Sequence, residues 1–181
     1  MPDRGLELRV AKSSVFSGVE GVLQRLRWVL GLVLPAIFIN PNFRVKRAGY
    51  DLSSTYDGYV IAPLKFQEAC RRLNIGGADF LTLPADPRFC VVRPMSVVEF
   101  DTEARQTRFS KYCETCGLYG SIAGATPAFL KAAPTTGLSR ADILFGSGNS
   151  RAPLLIASSN AKALLSKERL VGLQFLEWRV S

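Results

Sequence analysis

The sequence predicts an α+β fold: a single compact domain, residues 1–181, with two similar strand-helix-strand units packed on a mixed or antiparallel sheet. Two observations carry this. The 181 residues are 48% hydrophobic and 21% charged, enough for one sizeable core in an ordinary single domain. Residues 60–81 also lie without gaps on residues 155–176. Ile61 then meets Ile156, Ala62 meets Ala157, Ile75 meets Leu170, Gly77 meets Gly172, and Phe80-Leu81 meets Phe175-Leu176. Two copies suit a pseudo-symmetric domain, with units at 58–83 and 153–180, because a solenoid needs three or more repeats.

Each copy reads as strand, cap, helix, glycine turn, strand. Pro63 suits the helix start in the first, where its missing donor costs little. Ser158, Ser159 or Asn160 can cap the second. Gly77 and Gly172 supply the turns that follow. In the first helix Phe66, Ala69, Cys70 and Leu73 share one face, which makes Cys70 a buried, inert thiol.

The chain opens on alternating Leu6-Glu-Leu-Arg-Val10, a strand with one buried face. Val19, Val22, Leu23, Leu26, Leu30 and Val33 predict a helix over 19–34 that Pro35 stops, followed by a short strand over 36–39. Residues 44–58 are polar and read as a surface loop, in which Tyr50, Asp51, Tyr56 and Asp57 either contact a partner or pack inward. Between the copies, 89–92 and 97–100 read as strands, 101–106 as a polar turn and 107–112 as a strand. Residues 117–127 read as loop, 128–132 as a brief apolar piece and 142–145 as a short strand. Gly146-Ser-Gly-Asn-Ser150 is a mobile surface turn, since it has neither the dinucleotide fingerprint nor the P-loop spacing with its lysine.

Composition excludes several functions. The chain has no histidine, so histidine triads and imidazole-ligated metals are ruled out, and no carboxylate pair stands out on one face. A non-enzymatic protein is the expectation. Its 23 Lys+Arg against 15 Asp+Glu give +8, favouring acidic partners, but the basic groups are scattered (Arg25 and Arg27, 44–47, Arg71 and Arg72, 105–111), which argues against a dedicated nucleic-acid face. The N-terminus lacks the pattern of an export signal, and the most apolar run, 28–39, is broken by Gly31 and Pro35 and falls short of the ~20 residues that span a bilayer. Reduced thiols, a cytoplasmic location and no membrane partner are expected.

The candidate site is Cys113-Glu-Thr-Cys116-Gly117, a CxxCG in which both sulfurs can point to one side because glycine tolerates the positive φ that follows. Three chemistries remain open. Zinc would need further ligands, and the remaining thiols are Cys90 and Cys70, unless carboxylates supplement the set. A redox dithiol would want a helix N-terminus, for which Gly117-Leu-Tyr-Gly120 is a poor start. The third reading is a reduced CxxC kept as a turn.

The order Thr107-Arg-Phe109, Cys113-x-x-Cys116-Gly117, Asp142-Ile-Leu-Phe145, Leu154-Leu-Ile156 and Leu170-Val-Gly172-Leu-Gln-Phe175 resembles the double-CXXCG family and related immunity proteins of bacterial polymorphic-toxin systems. The resemblance covers about residues 85–181. Members of that family carry two CXXCG pairs and this chain carries one, so no ligand carries over beyond Cys113 and Cys116. The resemblance implies a protein that neutralises a cognate toxin by direct complex formation, through surface complementarity and with no active site. A +8 protein favours an acidic face on that target. The alternative is a basic nucleic-acid-binding or regulatory module with a CxxC turn, which steep salt dependence would reveal.

Overall fold

In the first of the aligned stretches, β4 (Val60–Pro63) runs into helix α1 (Leu64–Arg72) and returns as β5 (Ala78–Thr82). In the second, β12 (Ala152–Ala157) runs into α3 (Ser159–Leu165) and returns as β13 (Gln174–Val180). These are features of a computed structural model that describes residues 4–9, 11–12, 40–46, 49–55 and 58–181. The helix expected over 19–34, the strand over 36–39, Arg25, Arg27, Tyr56 and Asp57 lie outside the described residues.

The remaining strands are β1 (Arg4–Arg9), β2 (Ala11–Lys12), β3 (Ser53–Ser54), β6 (Phe89–Pro94), β7 (Ser96–Val98), β8 (Arg108–Cys113), β9 (Leu118–Ala123), β10 (Ala128–Leu130) and β11 (Leu138–Ser147). A one-turn helix α2 spans Thr102–Arg105. The fold is α+β with mixed sheets, but each repeat unit has its own sheet. The first lies in a five-stranded sheet of order β2-β3-β4-β6-β5, the second in an eight-stranded sheet of order β10-β13-β1-β12-β11-β9-β8, with β7 also paired to β11.

Both units are split in the same way. β4 and β5 each pair antiparallel with β6, which lies between them. β12 and β13 each pair antiparallel with β1. The N-terminal strand therefore does for the second unit what the strand following β5 does for the first. The equivalence extends one strand further. Ser53 faces Ile61 and Ser139 faces Ile156, and the residues before them, Leu52 and Leu138, are both fully buried.

The units also dock reciprocally. The Leu138 N–H donates to the Gly76 carbonyl at 2.8 Å, and the Asp51 N–H donates to the Val171 carbonyl at 2.8 Å. Gly76 and Val171 are aligned residues, each in the turn after its helix. The expected glycines follow them at φ 91° (Gly77) and 79° (Gly172), the left-handed region that a Cβ disfavours.

Strand alternation divides the apolar side chains into three clusters. Ala62, Cys90 and Val92 from one sheet, Leu155 and Ala157 from the other, and Phe66, Cys70, Ala161 and Leu165 from α1 and α3 share the central core. Ile156, on the opposite face of β12, joins Phe100, Phe145 and Trp178. Ile61, Phe89 and Val91 turn the other way with Leu83. Cys70 is 1% exposed, as the helical spacing predicts. The helix caps also match expectation: Pro63 stands at the N-cap of α1, and the Ser158 hydroxyl accepts the Ala161 N–H at 3.2 Å.

Other segments differ from the sequence reading. The loop at 44–58 contains β3, and Asp51 is buried: its carboxylate pairs with Lys65 at 2.5 Å and accepts the Val171 N–H at 2.6 Å. The polar turn at 101–106 contains α2, because the Asp101 carboxylate caps the Glu103 and Ala104 N–H groups. The chain changes sheet between Pro94 and Ser96, and the Met95 N–H is held by the Gly77 carbonyl at 2.9 Å. No helix among the described residues is long and apolar enough to cross a membrane.

Candidate interaction surface on the Cys113–Cys116 hairpin

The largest correction concerns the residues after Gly117. Leu118–Ala123, expected as loop, is strand β9, paired antiparallel with β8 from Arg108↔Ala123 to Cys113↔Leu118. The CxxCG is therefore the turn of a β-hairpin, closed by the Gly117 N–H on the Cys113 carbonyl at 2.8 Å, with Gly117 at φ 66°. Gly120 in mid-strand masks the strand signal in the sequence.

The hairpin stands at the margin of the eight-stranded sheet. β9 joins β11 through Gly146↔Ile122 and Ser147↔Ser121, so the glycine-rich stretch expected as a mobile turn ends β11 and carries the hairpin base. Arg151 clamps that base, donating to the Tyr119 carbonyl at 2.7 Å and the Gly148 carbonyl at 3.2 Å. β8 is the last strand of its sheet, and all six of its residues are exposed. Its outer edge meets no other described strand.

Regular alternation would place Phe109 and Tyr112, three residues apart, on opposite faces. Lys111 between them has φ 59°, the left-handed region that a side chain avoids at a cost of roughly 1–2 kcal/mol. This residue resets the alternation. Both rings then lie against Tyr119 on β9, with centroids 5.1 Å (Phe109) and 5.0 Å (Tyr112) from it. Two such pairs, at about 0.5–1.5 kcal/mol each beyond their burial, offset the strain. Gly120 lies under the distortion, where an added Cβ would stand 3.1 Å from the Lys111 Cβ.

The rings remain open to solvent: Phe109 is 40%, Tyr112 57% and Tyr119 38% exposed. Arg108 and Lys111 on the same strand add positive charge, with Glu114 at the tip. The arrangement is an aromatic platform on an unpaired, basic strand edge. Its sequence signal was three aromatics flanking the CxxCG, at a spacing that no regular strand would bring together.

Cys113 and Cys116 are both exposed free thiols at the hairpin tip. The neighbouring Cys116, first through its thiol and then through its backbone N–H, is the main cause that holds the Cys113 pKa below the usual thiol value. Cys90, which the sequence offered as a further ligand, lies fully buried in β6 and donates to the Ala62 carbonyl at 3.4 Å. Burial pushes its thiol up to about 11 and that of Cys70 up to about 12, the second helped by its neighbour Cys90. The structure thus divides the cysteines into a surface pair and a core pair. Among the described residues no group of three or more Cys, Asp or Glu could hold a metal ion.

A cavity of about 400 Å³ lies elsewhere, between the C-terminal end of α1, residues 133–137 and the start of α3, with Trp178 in its wall. Its lining offers hydroxyls and amides from Asn74, Thr135, Ser158, Ser159 and Asn160, and no carboxylate, amine or thiol side chain. No family model matches the chain, and no curated protein matches it at a significant level.

Proposed function

We propose that this chain is an immunity-type binding protein that neutralises a cognate bacterial toxin by direct complex formation in the cytoplasm, and that the 108–123 hairpin is the surface it presents. The observation that carries the reading is the exposed platform of Phe109, Tyr119 and Tyr112 on a strand edge bearing Arg108 and Lys111. Aromatic and arginine side chains dominate the energetics of protein interfaces. An open strand edge adds backbone hydrogen bonds to an extended partner segment. The excess positive charge speeds encounter with an acidic face. This mechanism needs no catalytic group and no cofactor.

The same platform favours a second reading, a module for single-stranded nucleic acid, because bases stack on exposed aromatics and cations follow the phosphates. One experiment separates the two. The purified protein is titrated by calorimetry with the protein encoded beside its gene and, separately, with an unstructured oligonucleotide at several salt concentrations. The toxin reading predicts a stoichiometric complex in which the toxin loses its activity. Binding of the oligonucleotide alone, with affinity falling steeply as salt rises, would overturn it.

A further inference from the structure

The geometry points to a second property of the hairpin, independent of any partner: Cys113 and Cys116 form a reversible dithiol–disulfide site that a small-molecule disulfide closes and a small-molecule thiol reopens. Three features support it. Both thiols are exposed, so an oxidant of the size of glutathione disulfide reaches either. They sit at the two ends of one tight turn, closed by the Gly117 N–H on the Cys113 carbonyl at 2.8 Å, and the Cys116 sulfur lies 4.0 Å from the same carbonyl oxygen. A disulfide requires Cβ atoms roughly 3.5–4.5 Å apart, and a turn that already holds the Cys116 sulfur beside the Cys113 backbone needs little movement to supply that. The tip belongs to none of the three buried clusters, so closing it leaves the core packing unchanged.

The core pair provides the contrast within the same molecule. Cys70 and Cys90 are 1% and 0% exposed. Exchange chemistry needs access to the attacked sulfur, so the folded protein reacts at the hairpin and not in the core.

The steps balance. One hairpin thiolate attacks a sulfur of the small disulfide, forming a mixed disulfide and releasing one small thiolate. The second hairpin thiolate attacks the protein-side sulfur, the Cys113–Cys116 S–S bond forms, and the second small thiolate leaves. Two electrons pass from the protein to the oxidant, and the two protons lost by the cysteines are taken up by the released thiols.

The test equilibrates the folded full-length protein in glutathione buffers of graded oxidised-to-reduced ratio, followed by acid quench, thiol labelling and peptide mass spectrometry. The expected result is that Cys113 and Cys116 lose label together and reappear as one bridged peptide in a monomeric chain, while Cys70 and Cys90 label only after denaturation. Returning the sample to reduced glutathione restores both labels. Cys116→Ser stops at a glutathione adduct on Cys113, and Cys113→Ser at an adduct on Cys116, each with an unchanged circular dichroism spectrum. Accumulation of singly modified wild-type chain, of disulfide-linked dimers, or of zinc-loaded protein whose hairpin thiols stay reduced throughout would overturn the assignment.

Discussion

Lys111 sits over Gly120 across the hairpin, in a left-handed conformation at φ 59°, and a side chain on Gly120 would meet its Cβ at 3.1 Å. The contact is tighter than ordinary van der Waals packing, so a larger residue at 120 must move Lys111. Gly120→Val is expected to separate the rings of Phe109, Tyr112 and Tyr119 while leaving the three buried clusters intact. The change should appear as a local gain in amide exchange across 108–123, with a melting temperature within a few degrees of wild type. A cooperative loss of the whole fold would show that the hairpin is more deeply integrated than this geometry implies.

The two glycine turns predict an unequal pair of substitutions. Gly77 and Gly172 are aligned residues, both at positive φ, so alanine at either incurs roughly 1–2 kcal/mol of backbone strain. Their surroundings differ. A Cβ on Gly77 would lie 2.1 Å from the Leu138 carbonyl oxygen, a backbone atom that cannot turn aside, whereas on Gly172 it would meet the half-exposed Tyr50, whose ring atom at 2.0 Å can swing toward solvent and whose Cβ at 2.9 Å need shift only slightly. Urea unfolding should therefore rank Gly77→Ala as clearly the more destabilising.

Asp51 holds the two units together through one side chain. Its carboxylate pairs with Lys65 at the start of α1 and accepts the N–H of Val171, in the turn after α3. Asp51→Asn retains an acceptor for Val171 and loses the ion pair, which involves a half-exposed lysine and contributes little. Asp51→Ala leaves the Val171 N–H without its partner, a loss of about 1–3 kcal/mol. The alanine variant should unfold at measurably lower urea than the asparagine variant, and equal midpoints would contradict the hydrogen bond's role.

Asp86 gives a pH dependence with a defined sign. Its carboxylate accepts from Arg88 Nε at 2.8 Å and Nη2 at 3.1 Å and from the Val45 N–H at 3.3 Å; the bond from Arg88 is the main cause that lowers its pKa. A carboxyl whose folded pKa lies below its unfolded value stabilises the fold above the unfolded value, about 4, and loses that contribution as pH falls through the folded one. Stability measured between about pH 7 and about pH 3 should fall less steeply in Asp86→Asn than in wild type.

The repeat was legible because its signals are local and redundant. Ala62 and Ala157, the caps at Pro63 and Ser158, and the turns at Gly77 and Gly172 each state the same strand-helix-strand course. That each unit takes its middle strand from a different part of the chain, β6 for one and β1 for the other, has no local signal, since pairing is settled by the shared core. The candidate site was half legible. The CxxCG marked a turn and Cys70 was correctly placed in the core. β9 was missed because Gly120 breaks its pattern, and the ring platform because it depends on one strained φ at Lys111. Asp51 does lie in a loop ahead of β3, but its burial was missed because its partners, Lys65 and Val171, lie at separations no spacing rule connects.

The central claim is that the hairpin platform binds and silences a toxin. Its most direct test is growth of cells that express the protein encoded beside this gene, once that protein alone is shown to stop growth, together with either the wild-type chain or a variant carrying Phe109→Ala, Tyr112→Ala and Tyr119→Ala. The three rings contribute little to the buried core, so the variant should fold with a melting temperature close to wild type. Central aromatic contacts are worth about 2 kcal/mol or more each, so its affinity should fall by at least ~30-fold. The account predicts that the wild-type chain restores growth and the folded variant does not. Equal protection by both, or protection by neither, would contradict it.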